Sequence, residues 1–113
     1  MPRDILFLLK PNLNEAGRVF HCPECATVEG VLAYHPEIRW ALDVRYVDFA
    51  RPRPEVIELL GEANQGCPVL ILNREHKLPS DVEVKIVNGK KIVTGPRNIP
   101  LVLSAAYGAS LPH

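Results

Sequence analysis

The sequence predicts an α/β fold with the element order β-α-β-α-β-β-α. Short apolar or alternating runs, bounded by proline and glycine, are typical of strands, and they take turns along the chain with segments of helical character. The last two strand segments are joined by Asn88-Gly89, the strongest short-range signal for a hairpin. A strand-helix-strand unit forms a right-handed crossover, so we expect the first two strands to be parallel.

Three strands are predicted before the hairpin. Ile5–Leu9 and Val69–Leu72 are continuous apolar runs, as expected for strands that are buried on both faces. Residues 42–49 alternate between apolar and polar side chains, which indicates a strand with one exposed face. Residues 11–21, which contain Pro, Asn and Gly, are predicted to form a loop.

The hairpin is predicted to join residues 84–87 to residues 90–93. If residues 69–72, 84–87 and 90–93 formed a simple meander, the turn after residue 94 would lie at the end of the sheet away from the cysteines. We therefore interpret residues 84–87 as a continuation of the third strand after an inserted loop, residues 73–82.

Three helices are predicted. The first begins at about Pro23, since proline suits the first turn of a helix, and it ends before Pro36. The second carries a cluster of apolar side chains and ends near Gly61. The third spans residues 99–107, with Asn98 as its N-cap.

Composition limits the classes of protein that need consideration. The chain has 113 residues, which suits a single domain spanning residues 1–113. Lys plus Arg and Asp plus Glu number 13 each, so nucleic-acid binding is not expected. The apolar runs are shorter than a membrane span and no signal peptide is recognised, which predicts a cytoplasmic protein without a membrane partner. The aromatic residues Tyr34, Trp40 and Phe49 are expected in the core.

The sequence Cys-Pro-Glu-Cys at positions 22–25 is the most informative motif. Two cysteines three positions apart at a helix start can form a small disulfide, and the helix N-terminus favours a thiolate at Cys22. Cys22 is therefore the candidate nucleophile, and Cys25 the thiol that resolves a mixed disulfide. Zinc binding is the competing interpretation, but a structural zinc site usually needs two such pairs.

The chain resembles the thioredoxin-like superfamily at the size of a glutaredoxin. The matching residues are the cysteine pair after the first strand and Cys67-Pro68 before the third, where the superfamily has a cis-proline. More closely, nearly the full length resembles a bacterial thioredoxin-like family of unknown function. The further shared features are Leu9-Lys10-Pro11, Glu29-Gly30, Arg51-Pro52-Arg53, Asn64-Gln65 and Pro112-His113.

The resemblance implies a four-stranded mixed sheet in the order 2-1-3-4, flanked by helices. It also implies a thiol–disulfide oxidoreductase that acts on a protein or glutathione disulfide without an organic cofactor. By analogy with glutaredoxins, glutathione would contact Cys67, Pro68, Arg97 and Asn98.

Further side chains near the motif are assigned possible roles. Arg51 and Arg53 could hold a carboxylate of glutathione or of a peptide, although arginines around prolines are often solvent-exposed. His21 precedes the nucleophile and could stabilise its thiolate. Glu24 is a negative charge that opposes thiolate formation.

Two other functions compete with the redox activity. A metal-binding module would use Cys22, Cys25 and Cys67 to hold zinc, or two chains would share an iron–sulfur cluster. A non-catalytic protein would bind a peptide in the same groove. Cys67 itself is a second resolving thiol, a metal ligand or a buried small side chain.

Overall fold

The apolar run Ile5–Leu9 forms strand β1, which lies inside a five-stranded mixed sheet. The computed structural model describes residues 2–113. The other strands are β2 (Leu13–Glu15), β3 (Arg18–Phe20), β4 (Asp43–Val47), β5 (Val69–Leu72), β6 (Lys85–Val87) and β7 (Lys90–Thr94). The helices are α1 (Pro23–Tyr34), α2 (Pro36–Ala41), α3 (Pro54–Leu60) and α4 (Asn98–Tyr107).

The strand order in the sheet is β4-β1-β5-β7-β6. β1 is parallel to β4, as the crossover rule predicts, and the other pairs of neighbours are antiparallel. Every residue of β1 and β5 is buried, whereas the outermost strands β4 and β6 are mostly half-buried or exposed. The sheet therefore has its core at the strands with continuous apolar sequence.

The helices bury apolar faces against this sheet. α1 contributes Val28 and Leu32, and α4 contributes Ile99 and Leu103, all fully buried. α1 and α4 also contact each other. Gly108 ends α4 with φ at +81°, a left-handed conformation that glycine adopts without steric cost.

The predicted strand number and strand order of the main sheet are wrong. Four strands in the order 2-1-3-4 were expected, whereas five strands are present in the order β4-β1-β5-β7-β6. Residues 85–87 do not continue β5. They form a separate strand, β6, that pairs with the outer side of β7 while β5 pairs with its inner side. The loop between β5 and β6 carries the chain back along the sheet, so that both strands run antiparallel to β7.

The prediction of a loop for residues 11–21 is also wrong. β2 and β3 form a two-stranded antiparallel hairpin separate from the main sheet. Its turn consists of Ala16 and Gly17, whose φ angles are +52° and +76°. Alanine rarely adopts positive φ, so this turn lacks the usual sequence signal.

The aromatic residues expected in the core lie on the surface. Tyr34 is 82% exposed, Trp40 77% and Phe49 48%. Trp40 belongs to the short helix α2, which sequence analysis did not predict and which points Ile38 inward. A residue two positions from Ile38 lies on the opposite side of a helix, which explains the exposure of Trp40.

Among residues 2–113, no helix has the length and apolar character that crossing a bilayer requires.

Candidate functional site

The ends of several strands meet at one end of the sheet, which we call the thiol end and define by Cys22, Cys25 and Cys67. Phe7 of β1 lies beside Val69 of β5, and Val69 lies beside Thr94 of β7. Because β5 runs opposite to β1 and β7, its first residue lies where those strands finish. The segments after β1, before β5 and after β7 are therefore neighbours.

Cys22 is the N-cap residue of α1 and is half-buried. The backbone N–H of Cys25 donates a hydrogen bond to Cys22 Sγ at 3.2 Å. Pro23 is the first helical residue, where the missing N–H leaves no intrahelical bond unformed. A sulfur that accepts an amide hydrogen bond at a helix N-terminus is in a favourable position to carry negative charge.

Cys25 is buried, with 5% of its surface exposed. Burial raises the pKa of this thiol to about 12, and a hydrogen bond from the Leu9 amide at 3.4 Å opposes that rise only in part. A hydrogen bond with the Cys22 side chain and the negative charge of that side chain raise the pKa of Cys25 further. Cys25 is therefore a neutral thiol at physiological pH.

Cys67 is half-buried and precedes a cis peptide bond to Pro68. Burial raises the pKa of its thiol, while the nearby positive charge of Arg53 opposes the rise and charge on Cys22 adds to it. The three thiols are thus close enough to influence one another electrostatically. Within residues 2–113, no three His, Cys, Asp or Glu side chains are grouped so that they could hold a metal ion.

Arg53 is almost fully buried, and its guanidinium is bound to backbone carbonyls. Its Nε and one Nη donate to the Phe49 carbonyl at 3.1 and 2.6 Å, and the other Nη donates to the Gln65 carbonyl at 2.7 Å. The Gln65 side chain in turn accepts the Arg53 backbone N–H at 2.8 Å. Arg53 therefore fastens the segment after β4 to the segment before Cys67.

The other predicted contact residues are more exposed. Arg51 lies on the surface and precedes a second cis peptide bond, to Pro52. Arg97 is exposed and donates to Asp81 at 2.9 Å and to Asn98 Oδ1 at 3.0 Å. Asn98 is the first residue of α4, and Arg97 occupies the N-cap position that was predicted for Asn98. His21 and Glu24 are exposed next to Cys22.

A cavity of about 640 Å³ opens beside the two cysteines of the motif. Its walls come from the end of β1, the segments that flank the β2–β3 hairpin, one face of α1, and β4. The lining residues are Leu8, Leu9, Pro11, Asn12, His21, Cys22, Cys25, Ala26, Glu29 and Tyr46. Besides the two cysteines, the predicted site residue His21 also lines this cavity.

A polar cluster that sequence analysis missed closes one side of the cavity. The Tyr46 hydroxyl donates to Glu29 Oε2 at 2.6 Å, and Arg39 donates to the Tyr46 hydroxyl at 2.8 Å and to Glu29 Oε1. The guanidinium and the carboxylate form an ion pair. A usable signal was the helical spacing, because residues 22, 25 and 29 share one face of α1.

A second polar cluster lies at the opposite end of the sheet, which we call the carboxylate end and define by Asp4, His76 and Tyr107. Asp4 is completely buried just before β1. It accepts hydrogen bonds from the Tyr107 hydroxyl at 2.5 Å, from two backbone amides at 2.7 and 2.9 Å, and lies 2.5 Å from His76 Nε2. Burial raises the pKa of this carboxyl, but the four hydrogen bonds outweigh it and lower the pKa below 3.8.

The fold and the site together define a small α/β protein with two free thiols at the N-terminus of the helix that follows the first sheet strand. The chain belongs to the family DUF3088, described as a protein of unknown function, whose family model matches residues 3–111. Comparison with curated proteins found no match, and comparison with solved structures found none either.

Proposed function

We propose that this protein is a thiol–disulfide oxidoreductase of thioredoxin-like architecture, in which Cys22 is the nucleophile and Cys25 the resolving thiol. The observation that carries the proposal is the contrast between the two sulfurs. Cys22 is partly accessible and accepts a helix N-terminal amide, whereas Cys25 is buried with its pKa raised to about 12. Such a pair has one sulfur suited to attack and one held in reserve.

The architecture supports the proposal. The neighbouring strands β4, β1, β5 and β7 have one parallel pair followed by antiparallel pairs, which is the arrangement expected of a thioredoxin-like sheet numbered 2-1-3-4. β6 is then an addition at one edge. The cis peptide bond before Pro68 precedes the antiparallel central strand, at the same end of the sheet as the cysteine pair.

The reaction begins when the Cys22 thiolate attacks one sulfur of a substrate disulfide. A bond forms between Cys22 Sγ and that sulfur, the substrate S–S bond breaks, and the other sulfur leaves as a thiolate with the electron pair. In the mixed disulfide Cys22 has no negative charge, so one of the causes that raise the pKa of Cys25 is removed.

Cys25 then gives its proton to solvent and attacks Cys22 Sγ. The mixed disulfide breaks, the second substrate thiolate leaves, and a Cys22–Cys25 disulfide forms, so that the substrate gains two electrons from the protein dithiol. The substrate is a protein or low-molecular-weight disulfide that reaches Cys22. The backbone of Cys67 beside Pro68 offers an edge for an extended peptide substrate, next to the charge of Arg51.

The proposal is tested with reduced protein and a model disulfide, with free dithiothreitol at equal thiol concentration as the baseline. We expect faster exchange than the baseline, and loss of that advantage in Cys22→Ser. In Cys25→Ser the mixed disulfide should accumulate and be detected as a mass adduct on Cys22. If wild-type protein is no faster than dithiothreitol, the redox proposal is wrong.

A further inference from the structure

Cys22 borders two different surfaces of the molecule. One carries Cys67 and Pro68 and lies next to the two arginines of the segment after β4. The other is the cavity bordered by the segments that flank the β2–β3 hairpin. Its lining includes both cysteines of the motif and none of the four residues Cys67, Pro68, Arg51 and Arg53. A ligand in the cavity would therefore approach the nucleophile without using the peptide edge.

The cavity has the size and chemistry of a site for a small apolar molecule. Its volume of about 640 Å³ lies within the range typical of small-molecule sites. Apolar side chains dominate the wall, with Leu8 and Leu9 from β1, Pro11 from the start of the hairpin segment and Ala26 from α1. Cys22, the proposed nucleophile, is one of the lining residues.

The ion pair beside the cavity leaves Arg39 without a free charge for an anionic ligand. Glu29 lines the cavity and forms an ion pair with Arg39. The positive charge of Arg39 is therefore already balanced by a carboxylate of the protein. Tyr46 uses its hydroxyl hydrogen on the same carboxylate. A ligand with carboxylates of its own would therefore meet a neutralised cluster and apolar surface, where burying its charge is costly.

We propose that this cavity binds a small uncharged disulfide that carries an aromatic or alkyl group, and that it presents one sulfur of that disulfide to Cys22. The proposal rests on the proposed function for the reactivity of the thiol pair. It adds a substrate class, namely neutral apolar disulfides, and a binding site separate from the edge at Pro68.

The chemical step with a dipyridyl disulfide as probe is balanced as follows. The Cys22 thiolate bonds to one probe sulfur, the probe S–S bond breaks, and one pyridinethiolate leaves with the electron pair and takes a proton from solvent. Cys25 gives its proton to solvent and attacks Cys22 Sγ, so that the second pyridinethiolate leaves with the electron pair and the protein disulfide forms. The protein dithiol is the reductant, and the probe is the oxidant.

The first test compares two aromatic disulfides that report by absorbance, the neutral dithiodipyridine and the dianionic dithiobis(nitrobenzoate). Each rate with the protein is divided by its rate with a free neutral thiol, which removes the intrinsic reactivity of the probe. We expect the neutral probe to show saturation with concentration and a normalised rate roughly tenfold above that of the dianion. Linear concentration dependence with equal normalised rates would overturn the proposal.

The second test fills the cavity. Ala26→Leu adds a larger side chain to the wall, and Ala33→Leu makes the same change at an exposed position of α1 outside the cavity. We expect Ala26→Leu to weaken saturation by the neutral probe about tenfold or more, and Ala33→Leu to match wild type within about twofold. Equal effects of the two substitutions, in proteins with the circular dichroism of wild type, would contradict the proposal.

A third measurement does not depend on the folding of a variant. Dipyridyl sulfide lacks the S–S bond and cannot react, so it should compete with the neutral disulfide in wild-type protein and slow its reaction at Cys22. Absence of competition at concentrations that saturate the disulfide would count against the cavity.

The outcomes separate the two proposals. Saturable, competed labelling of Cys22 without release of a second pyridinethione would support the cavity and refute the oxidoreductase cycle. Full dithiol turnover with linear kinetics and no competition would support the cycle and refute the cavity.

Discussion

Each end of the central sheet buries an ionisable group, but the pKa of that group is lowered at one end and raised at the other. At the carboxylate end, Asp4 accepts four hydrogen bonds that outweigh burial and hold its pKa below 3.8. At the thiol end, burial dominates and raises the pKa of Cys25 to about 12, with one amide hydrogen bond in opposition. One buried group is charged and fully partnered, and the other is neutral and sparsely partnered.

Under the proposed function, this difference separates a stabilising end of the sheet from a reactive end. The donors to Asp4 come from the loop after β5 and from the end of α4, so the charged carboxylate joins both chain ends and the middle. The thiol end leaves its sulfurs with few hydrogen-bond partners, which suits the proposed role in disulfide exchange. Five experiments break or sharpen the comparison, taken from the largest expected effect to the smallest.

Replacing the buried carboxylate should have the largest effect. In Asp4→Asn the charge is lost and the amide group meets donors such as the Tyr107 hydroxyl and the Asn73 amide, so we expect a loss of about 3–4 kcal/mol in the free energy of unfolding. Urea denaturation followed by circular dichroism measures it. The matched control is Asp48→Asn, since Asp48 is 79% exposed in its pair with Lys10 and should cost less than about 0.5 kcal/mol.

The same variant tests the direction of the pH dependence. A carboxyl with a lowered pKa in the folded state stabilises the protein above the pKa of the unfolded chain, 3.8, and loses that contribution as the pH falls through the folded value. The difference in free energy of unfolding between wild type and Asp4→Asn should therefore become smaller below about pH 4. A constant gap would show that the cost is steric.

A substitution at Arg53 tests whether its hydrogen bonds to backbone carbonyls stabilise the thiol end. A lysine cannot donate to the Phe49 and Gln65 carbonyls at once in the planar geometry of a guanidinium, so Arg53→Lys should cost about 2–3 kcal/mol. Arg51→Lys is the matched control, because Arg51 is exposed, and should change stability by less than about 0.5 kcal/mol. Similar stabilities for the two variants would refute the fastening role.

The buried thiol should produce a smaller effect, and at alkaline rather than acidic pH. The folded protein keeps Cys25 protonated to about pH 12, while the unfolded chain loses the proton near 9.0, so raising the pH through this interval favours unfolding. Between pH 8 and about 10.5, wild type should lose on the order of 1–2 kcal/mol more than Cys25→Ala. The measurement is urea denaturation at each pH, on reduced protein without oxygen. If the free energies of unfolding of the two proteins change in parallel with pH, the pKa of Cys25 is not raised.

Cys67 should produce the smallest effect. If the peptide edge contributes through backbone groups, Cys67→Ser should slow disulfide exchange by no more than about threefold, which is under 1 kcal/mol in the barrier. Exchange rates with a peptide disulfide measure it. A loss comparable to that of Cys22→Ser would instead identify Cys67 as a third participating thiol.

Most of the fold was predictable because its signals are local. The continuous apolar runs became the buried strands β1 and β5, and Asn88-Gly89 formed the predicted turn with positive φ at both residues. The β2–β3 hairpin escaped prediction because Ala16 provides no such signal at the same turn position. Strand β6 was misplaced because the path of a loop depends on distant contacts, here those of Asp4 with the segment after β5.

The candidate site was predictable to the same extent. The cysteine pair and the proline after Cys67 are marked by spacing and by neighbours in sequence. The cluster of Glu29, Arg39 and Tyr46 joins a helix, a second helix and a strand, so no short window of sequence contains it. The partnership of Asp4 with Tyr107 spans 103 positions and is created by the fold alone.

The exposure of Trp40 has a practical consequence. It is the single tryptophan of the chain, and its indole is already mostly in water when the protein is folded. Its emission should therefore resemble that of a solvated indole before and after unfolding, and should respond little to oxidation of the cysteine pair. Fluorescence assays on this chain will need an added reporter near Cys22.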